Sequence, residues 1–140
     1  MRRRTLTATH GFEMGEALKD IVRRINLGFE AGDDNAILDC LTDDVVWHVP
    51  PHFSAVGKEA FRQQISSPAA DGPPVIELRS LVAEHDSVAA EGFVRNRFKG
   101  GGEFRGLFHN VYRFRDGKIC RMTSYVVPLP ESGWDHETTR

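Results

Sequence analysis

Two histidines in predicted strands are the side chains of this chain best suited to proton transfer. His109 lies in the middle of one strand and His48 near the end of another. An imidazole titrates near neutral pH, so it can give or take a proton without a large pKa shift. If both face one cavity, His109 would act as general base or acid and His48 as its partner. Each also has a plainer interpretation, as a histidine bonded to backbone or covered by a loop on the outer sheet face.

The alternation of side chains along a strand decides which residues share the cavity. Successive residues of a strand point to opposite faces, so His109 and Asn110 cannot both face inward. The same rule separates His48 from Trp47 and Val49 on either side of it. We predict that His109 faces the pocket. The candidate substrate contacts in these strands are Phe108, Asn110, Trp47 and Val49.

Three further polar residues are candidates for substrate contacts. Glu91 is an acidic residue well inside a predicted middle strand; burial would raise its pKa and make it an acid, whereas a salt bridge to a neighbouring arginine is the more common outcome. Tyr125, like Tyr112, could donate a hydrogen bond to a developing oxyanion. His52 lies in a proline-rich loop, either as a ligand contact or as a plain loop residue.

Composition excludes several classes of partner. The net charge of −2 and the pI of about 6.3 argue against nucleic acid, because phosphate binding normally needs a basic surface. The six histidines lack metal-ligand spacing, so we expect no metal, and no motif indicates an organic cofactor. No segment resembles a membrane span or a secretory signal. Cys40 and Cys120 are far apart in the chain, which favours buried thiols in a reducing, cytoplasmic setting.

The first half of the chain predicts three helices and a strand within a single domain of residues 1–140. Apolar residues recur every three or four positions over 12–30, and Ala31-Gly32 ends this helix. Asp33 can cap a second, short helix. A β-rich segment over 44–49 stops at Pro50-Pro51, and a third helix is predicted over 57–66. Residues 1–10 are predicted to be a mobile tail.

The second half predicts an antiparallel meander. Four strands over 75–84, 87–98, 104–115 and 118–127 are joined by short links, of which Asp116-Gly117 is a strong hairpin signal. Helices followed by a long curled sheet indicate an α+β fold in which the helices cover one face and leave a cavity. Apolar residues on both faces of the sheet favour a homodimer. Residues 128–140, including Trp134, form a C-terminal tail that could reach the pocket mouth or a second subunit.

Several short segments in this order resemble one known superfamily. They are the segments 31–33, 41–50, 57–61 and 90–92 and the hairpin over 108–125. Together they are similar to the nuclear transport factor two superfamily, in its SnoaL-like polyketide cyclase and ketosteroid isomerase branch. The resemblance implies a cone-shaped α+β barrel with three N-terminal helices on a curved mixed or antiparallel sheet enclosing a pocket. It does not fix the activity, because a fold can host unrelated functions.

The same resemblance places valines where relatives carry catalytic carboxylates. Val49 stands at the position of the isomerase base, and Val127 at that of the essential aspartate of cyclases and epoxide hydrolases. Ile25 takes the position of a helical tyrosine donor, and the second donor falls on His109 or Asn110. His48 matches an asparagine that helps to hold water in the epoxide hydrolases.

Two functions remain open from the sequence. One is a cofactor-independent enzyme that cyclises, isomerises or dehydrates a small hydrophobic polyketide-like or terpenoid-like substrate, with an epoxide hydrolase as a less favoured variant. The other is a non-catalytic module that only binds such a molecule. The missing carboxylates favour the second, and the two histidines favour the first. If both histidines lie on the outer sheet face, the proposed enzyme has neither its general base nor its general acid beside the substrate.

Overall fold

The computed structural model describes residues 2–130, with side chains from residue 11 onward. The helices are α1 (Arg2–Ala31), α2 (Asp34–Leu38) and α3 (Lys58–Ile65). The strands are β1 (Leu41–Val49), β2 (Phe53–Val56), β3 (Val75–Glu84), β4 (Ser87–Arg97), β5 (Glu103–Arg115) and β6 (Lys118–Pro128). The proposed C-terminal tail lies outside the described residues from position 131 onward.

Helix α1 begins earlier and ends where the sequence predicts. It starts at Arg2, within the segment predicted to be a tail, and the first buried side chain within residues 11–31 is Leu18. Backbone hydrogen bonds hold a helix together whether or not its sequence has an apolar stripe, so the apolar pattern underestimates the length of α1. At the other end Gly32 has a φ of 65°, the left-handed conformation typical of a residue just after a helix. The side chain of Asp33 caps α2 by accepting a hydrogen bond from the Ala36 N–H at 3.1 Å.

The six strands form one open, mixed sheet in the order β2-β1-β6-β5-β4-β3. Strands β3 to β6 are the predicted antiparallel meander, and β1 pairs parallel to β6. In the β5–β6 turn both Asp116 and Gly117 have positive φ values, 52° and 77°, as a tight hairpin turn requires. The expected α+β fold is confirmed, with helices packed on a mixed sheet that does not close.

Strand β2 was not predicted from the sequence. Four residues, Phe53–Val56, pair antiparallel with the end of β1, from Val46↔Val56 to Val49↔Phe53. A segment this short carries too little alternation to be recognised as a strand. The strand matters because it extends the sheet beneath α3 and brings Phe53 to the inner face.

The core lies between the helices and the inner face of the sheet. Val22 and Ile25 of α1 are fully buried together with Tyr112 and Met122 from the sheet and Phe61 from α3. Cys40 is buried in the same cluster, and burial raises the pKa of its thiol. Among the described residues, no helix combines the length and apolarity needed to cross a membrane.

Candidate ligand pocket

A pocket of about 680 Å³ opens between the inner sheet face, α1 and the loop after α3. Its walls are largely aromatic and aliphatic. Its exposed edge is formed by polar and small residues of the α3 end and the following loop: Gln64, Ser66, Ser67, Gly72 and Pro73. The remaining wall residues include Phe29, Trp47, Val49, Phe53, Ile76, Val94, Phe98, Phe108 and Val126. Such a concave, mainly apolar site with a few polar groups is typical of small-molecule binding.

Three polar side chains form a connected group in the pocket wall. The Nδ2 of Asn26 donates to the Tyr112 hydroxyl oxygen at 3.2 Å and to the Val22 carbonyl at 2.8 Å. The Nδ2 of Asn110 donates to the same hydroxyl oxygen at 3.1 Å. The Asn110 Oδ1 is buried and has no hydrogen-bond partner in the described part of the chain. We call Asn26, Tyr112 and Asn110 the polar triad.

A second polar contact fixes the aromatic wall. The indole N–H of Trp47 donates to Ser124 Oγ at 3.0 Å. The Trp47 ring stacks on Phe61 at 4.6 Å between centroids and meets Phe53 edge-on at 5.2 Å. Because both the hydrogen bond and the ring contacts orient the indole, this wall is held rigidly in one position.

The pocket has almost no ionisable chemistry. Of the described residues that line it, Asp34 is the one with a charged side chain, at the start of α2. The other titratable member is Tyr112, and burial raises the pKa of its hydroxyl above the ordinary tyrosine value. Within residues 11–130, no cluster of three histidine, cysteine, aspartate or glutamate side chains lies close enough together to hold a metal ion.

His109 lies on the outer face of the sheet, which corrects the prediction that it faces the pocket. Its neighbours in sequence, Phe108 and Asn110, line the pocket, while His109 is exposed. The strand register places it directly between Glu91 of β4 and Tyr125 of β6. Both of these candidate contacts are therefore exposed on the outer face too. The alternation of β5 contains the signal for this, because Arg113 and Arg115 share the phase of His109 while Tyr112 and Phe114 are in the opposite, buried phase.

His48 and His52 are also outside the pocket lining. Trp47 and Val49 line the pocket, so alternation directs His48 to the outer face, where its Nδ1 is hydrogen bonded to Ser54 Oγ. His52 is exposed in the turn between β1 and β2. Of the ten predicted site residues, the structure brings together four in the pocket: Trp47, Val49, Phe108 and Asn110.

Two positions named by the family resemblance lie outside the pocket, and a residue next to each of them in the chain lines it instead. Ile25 is fully buried in the core, and it is the next residue, Asn26, that lines the pocket. Val127 is 61% exposed on the outer face, whereas Val126 lines the pocket. Asn26 could have been found in the sequence, because a polar residue four positions after Val22 interrupts the buried stripe of α1. Ser124 could not, since its role depends on the contact with Trp47 across the sheet.

A cone-like arrangement of helices on a curled mixed sheet with an inner pocket defines an NTF2-like protein. The SnoaL-like domain family matches residues 22–122. The chain therefore belongs to the SnoaL-like domain family, within the nuclear transport factor two superfamily.

Solved structures with the same fold include proteins of different described activities. A putative polyketide cyclase from Xanthomonas campestris pv. campestris is 24% identical, with 79% of this chain and 90% of that chain covered and a TM-score of 0.64. TerC, co-crystallised with polyporic acid, is 20% identical over 77% and 89%, with a TM-score of 0.70. An M. tuberculosis LEH-like epoxide hydrolase is 13% identical over 81% and 85%, with a TM-score of 0.73. The comparison with curated proteins finds no match.

Proposed function

We propose that this protein binds a small, neutral and largely apolar organic molecule in the inner pocket without acting on it as an acid or base. One observation carries the proposal. The pocket lining is apolar with neutral polar groups, while His109 and His48 lie on the opposite face of the sheet. Without a histidine beside the ligand, the proton-transfer chemistry predicted for His109 and His48 has no site.

The composition of the pocket wall supports this class of ligand. Aromatic rings from α1, β1, β2 and β5 offer large apolar surfaces, whose burial against a ligand is favourable by about 25 cal/mol per Å². Asp34 is the one charged side chain among the described lining residues, so an anionic ligand would lose its hydration without meeting a positive charge. The descriptions of the related TerC and polyketide cyclase structures also favour an organic molecule as the ligand.

Two neighbouring valines on opposite faces of β6 provide a matched test. Val126→Trp would fill the pocket, and Val127→Trp would place the same side chain on the outer face. The neutral fluorescent probe prodan should bind the wild-type protein and the Val127→Trp variant with similar affinity, and the Val126→Trp variant at least tenfold more weakly. Equal affinity in all three, or selective loss in Val127→Trp, would remove the inner pocket as the binding site. Thermal unfolding of each variant checks that the fold is retained.

One observation favours an enzyme as the second candidate. The Tyr112 hydroxyl receives hydrogen bonds from two amides inside the pocket, and a donor held in this way can stabilise an enolate oxygen. Cyclisation, isomerisation or dehydration would then depend on Tyr112 and on a base at Asp34. Exchange of solvent deuterium into the α-carbon of 2-tetralone, followed by NMR, distinguishes the candidates. Exchange that requires both Tyr112 and Asp34 would favour the enzyme, and its absence at saturating 2-tetralone would favour the binding protein.

The outer sheet face supports a homodimer. Tyr125, Val111, Val82 and Val127 are between 37% and 61% exposed on this face, and neighbouring pairs such as Val82 and Ala89, or Val111 and Thr123, extend it across the sheet. A second copy of the chain would cover these side chains. The two free cysteines are consistent with the reducing cytoplasm that the sequence predicts.

A further inference from the structure

The contact between Trp47 and Ser124 leaves one hydrogen-bond donor in the wall of the pocket. Resting on the proposed function, we propose that the Ser124 hydroxyl donates a hydrogen bond to a carbonyl oxygen of the ligand. The pocket therefore selects neutral aromatic ketones and esters over hydrocarbons of the same shape. Trp47 positions the hydroxyl, and Ser124 makes the contact with the ligand.

The direction of the Ser124 proton follows from the chemistry of its partner. The Trp47 indole nitrogen lies 3.0 Å from Ser124 Oγ. An indole N–H can donate a hydrogen bond but cannot accept one, so Ser124 is the acceptor in this contact. The hydroxyl keeps its own proton, which must point to a different acceptor. Within the part of the chain that the structure describes, no such acceptor is bonded to Ser124.

Asn110, which lies directly across from Ser124 on β5, does not supply this acceptor. One of its amide atoms lies 3.1 Å from the Tyr112 hydroxyl oxygen, and the other has no hydrogen-bond partner among the described residues. Exchanging the amide oxygen and nitrogen moves neither of these two positions, so neither is bonded to Ser124 in either orientation. The available proton of Ser124 is therefore independent of how this amide is turned.

The hydroxyl is held at one place beside an aromatic surface. Ser124 is 6% exposed and lies on β6, between β1 and β5. The Trp47 ring that bonds it is itself stacked on Phe61 and meets Phe53 edge-on. Ser124, Trp47 and Phe53 all line the pocket. A ligand oxygen bonded to Ser124 therefore has aromatic rings next to it, which favours an aromatic body for the same ligand.

The charge of the pocket decides which acceptor fits. A ligand without an acceptor at this point would remove the hydroxyl from water and leave its proton unpaired, which is costly in a buried site. An anionic oxygen could take the proton, but Asp34 is the one charged side chain among the described lining residues, so the anion would meet no positive charge. A carbonyl oxygen is a neutral acceptor with two lone pairs. A ketone or ester on an aromatic body matches both the hydroxyl and the wall.

Two probes of the same shape isolate this hydrogen bond. 2-Acetylnaphthalene carries a carbonyl, and 2-isopropenylnaphthalene has a methylene group in place of the oxygen. Equilibrium dialysis measures the dissociation constant of each probe. Ser124→Ala should reduce the ratio of ketone affinity to hydrocarbon affinity by about three- to tenfold, as expected for the loss of one hydrogen bond. The comparison of ratios cancels the different preference of the two probes for water.

Two further variants assign the effect to the Ser124 hydroxyl. Thr123→Val removes a hydroxyl from the preceding residue, which pairs with Val111 on the outer face, and should keep the wild-type ratio. Ser124→Cys keeps an atom beside the indole but replaces the hydroxyl with a weak donor, so it should lose the preference as Ser124→Ala does. Thermal unfolding checks the fold of each variant, and Ser124→Cys is decisive if Ser124→Ala does not fold.

The carbonyl stretching frequency of bound 2-acetylnaphthalene provides a second readout. A hydrogen bond to the oxygen weakens the C=O bond and lowers its frequency. Infrared difference spectra of the isotopically labelled ketone should therefore show a lower frequency in the wild-type protein than in Ser124→Ala. A substitution that only loosened the pocket would weaken both probes together and would not raise this frequency.

The outcomes separate this inference from the proposed function. If the affinity ratio and the carbonyl frequency are the same in the wild type and in Ser124→Ala, the donation from Ser124 is overturned while the pocket still binds apolar molecules. An equal fall of the ratio in Thr123→Val would overturn the assignment to Ser124. If neither probe binds the wild-type protein, the proposed function fails and the inference fails with it.

Discussion

At the scale of single residues, Tyr112 combines a buried hydroxyl with two amide donors and an apolar wall. Burial raises the pKa of the hydroxyl more than the hydrogen bonds from Asn26 and Asn110 lower it. The neutral phenol is therefore the form that the fold favours. This makes Tyr112 a hydrogen-bond donor at physiological pH and unsuitable as a base.

Titration of Tyr112 tests this directly. The chain has two tyrosines, so Tyr125→Phe leaves Tyr112 as the only phenol. Its ultraviolet absorbance should show ionisation well above the ordinary tyrosine value of about 10. The pKa of Tyr112 is higher in the folded than in the unfolded protein, so burial of the neutral hydroxyl contributes to stability. This contribution is present in full below the unfolded pKa and is lost as pH rises through the folded pKa. A midpoint at or below about 10 in the folded protein would contradict the burial of the hydroxyl.

The sequence identifies a pocket residue when local strand alternation places it in the pocket, and misses it when a contact between distant segments does. The aromatic and apolar wall residues Trp47, Val49 and Phe108 were predicted as contacts, and they follow from strand alternation once one face is known. His109 was placed on the wrong face, although it shares its alternation phase with Arg105, Arg113 and Arg115 and the opposite phase carries the buried Phe108, Tyr112 and Phe114. Asn110 was predicted as a contact and Tyr112 as a possible donor, but Asn26 was missed because its contact with Tyr112 joins α1 to β5 and no local pattern records it.

At the scale of elements, Gly92 allows β4 to pass close to both of its neighbours. A Cβ added there would collide with the Glu77 carbonyl of β3 and meet the Phe108 ring at 2.7 Å. Phe108 lines the pocket, so the glycine also sets the position of the pocket wall. A backbone carbonyl cannot move aside as a flexible side chain would, so the strands themselves must shift.

Gly92→Ala should therefore destabilise the protein by about 1–3 kcal/mol, the usual cost of overpacking. Chemical unfolding measures this loss, and prodan binding should weaken in parallel because Phe108 is displaced. Gly100→Ala provides the control, since nothing lies within 4 Å of a Cβ at that glycine and its φ is not in the left-handed region. Similar stability of the two variants would show that β4 does not approach β3 as closely as described.

The predicted elements agree with the structure where their signals are local. Asp116-Gly117 defines the last hairpin, Gly32 ends α1, and Asp33 caps α2, each through backbone conformation or a contact within a few residues. The parallel pairing of β1 with β6 and the short β2 could not be predicted. They depend on contacts between residues far apart in the chain.

At the scale of the whole molecule, the two faces of the sheet have different functions in our proposal. The inner face binds a ligand, and the outer face carries Tyr125 and Val111 toward a second copy. Tyr125→Glu would place a charge in the middle of that face, so analytical ultracentrifugation should show a dimer for the wild type and a monomer for the variant. Leu27→Glu, which introduces the same side chain at an exposed position of α1, is the control and should remain dimeric. A wild-type monomer at high protein concentration would contradict the dimer.

The central claim is that the inner face of the sheet, and not the outer-face histidines, binds the ligand. Heteronuclear NMR with prodan tests it most directly, because the inner face carries amide and indole N–H groups and the outer face carries imidazoles. We predict that the side-chain amide signals of Asn26 and Asn110 and the indole signal of Trp47 shift on titration, while the imidazole signals of His109 and His48 do not. Shifts at the two histidines with unchanged Asn26, Asn110 and Trp47 would contradict the account.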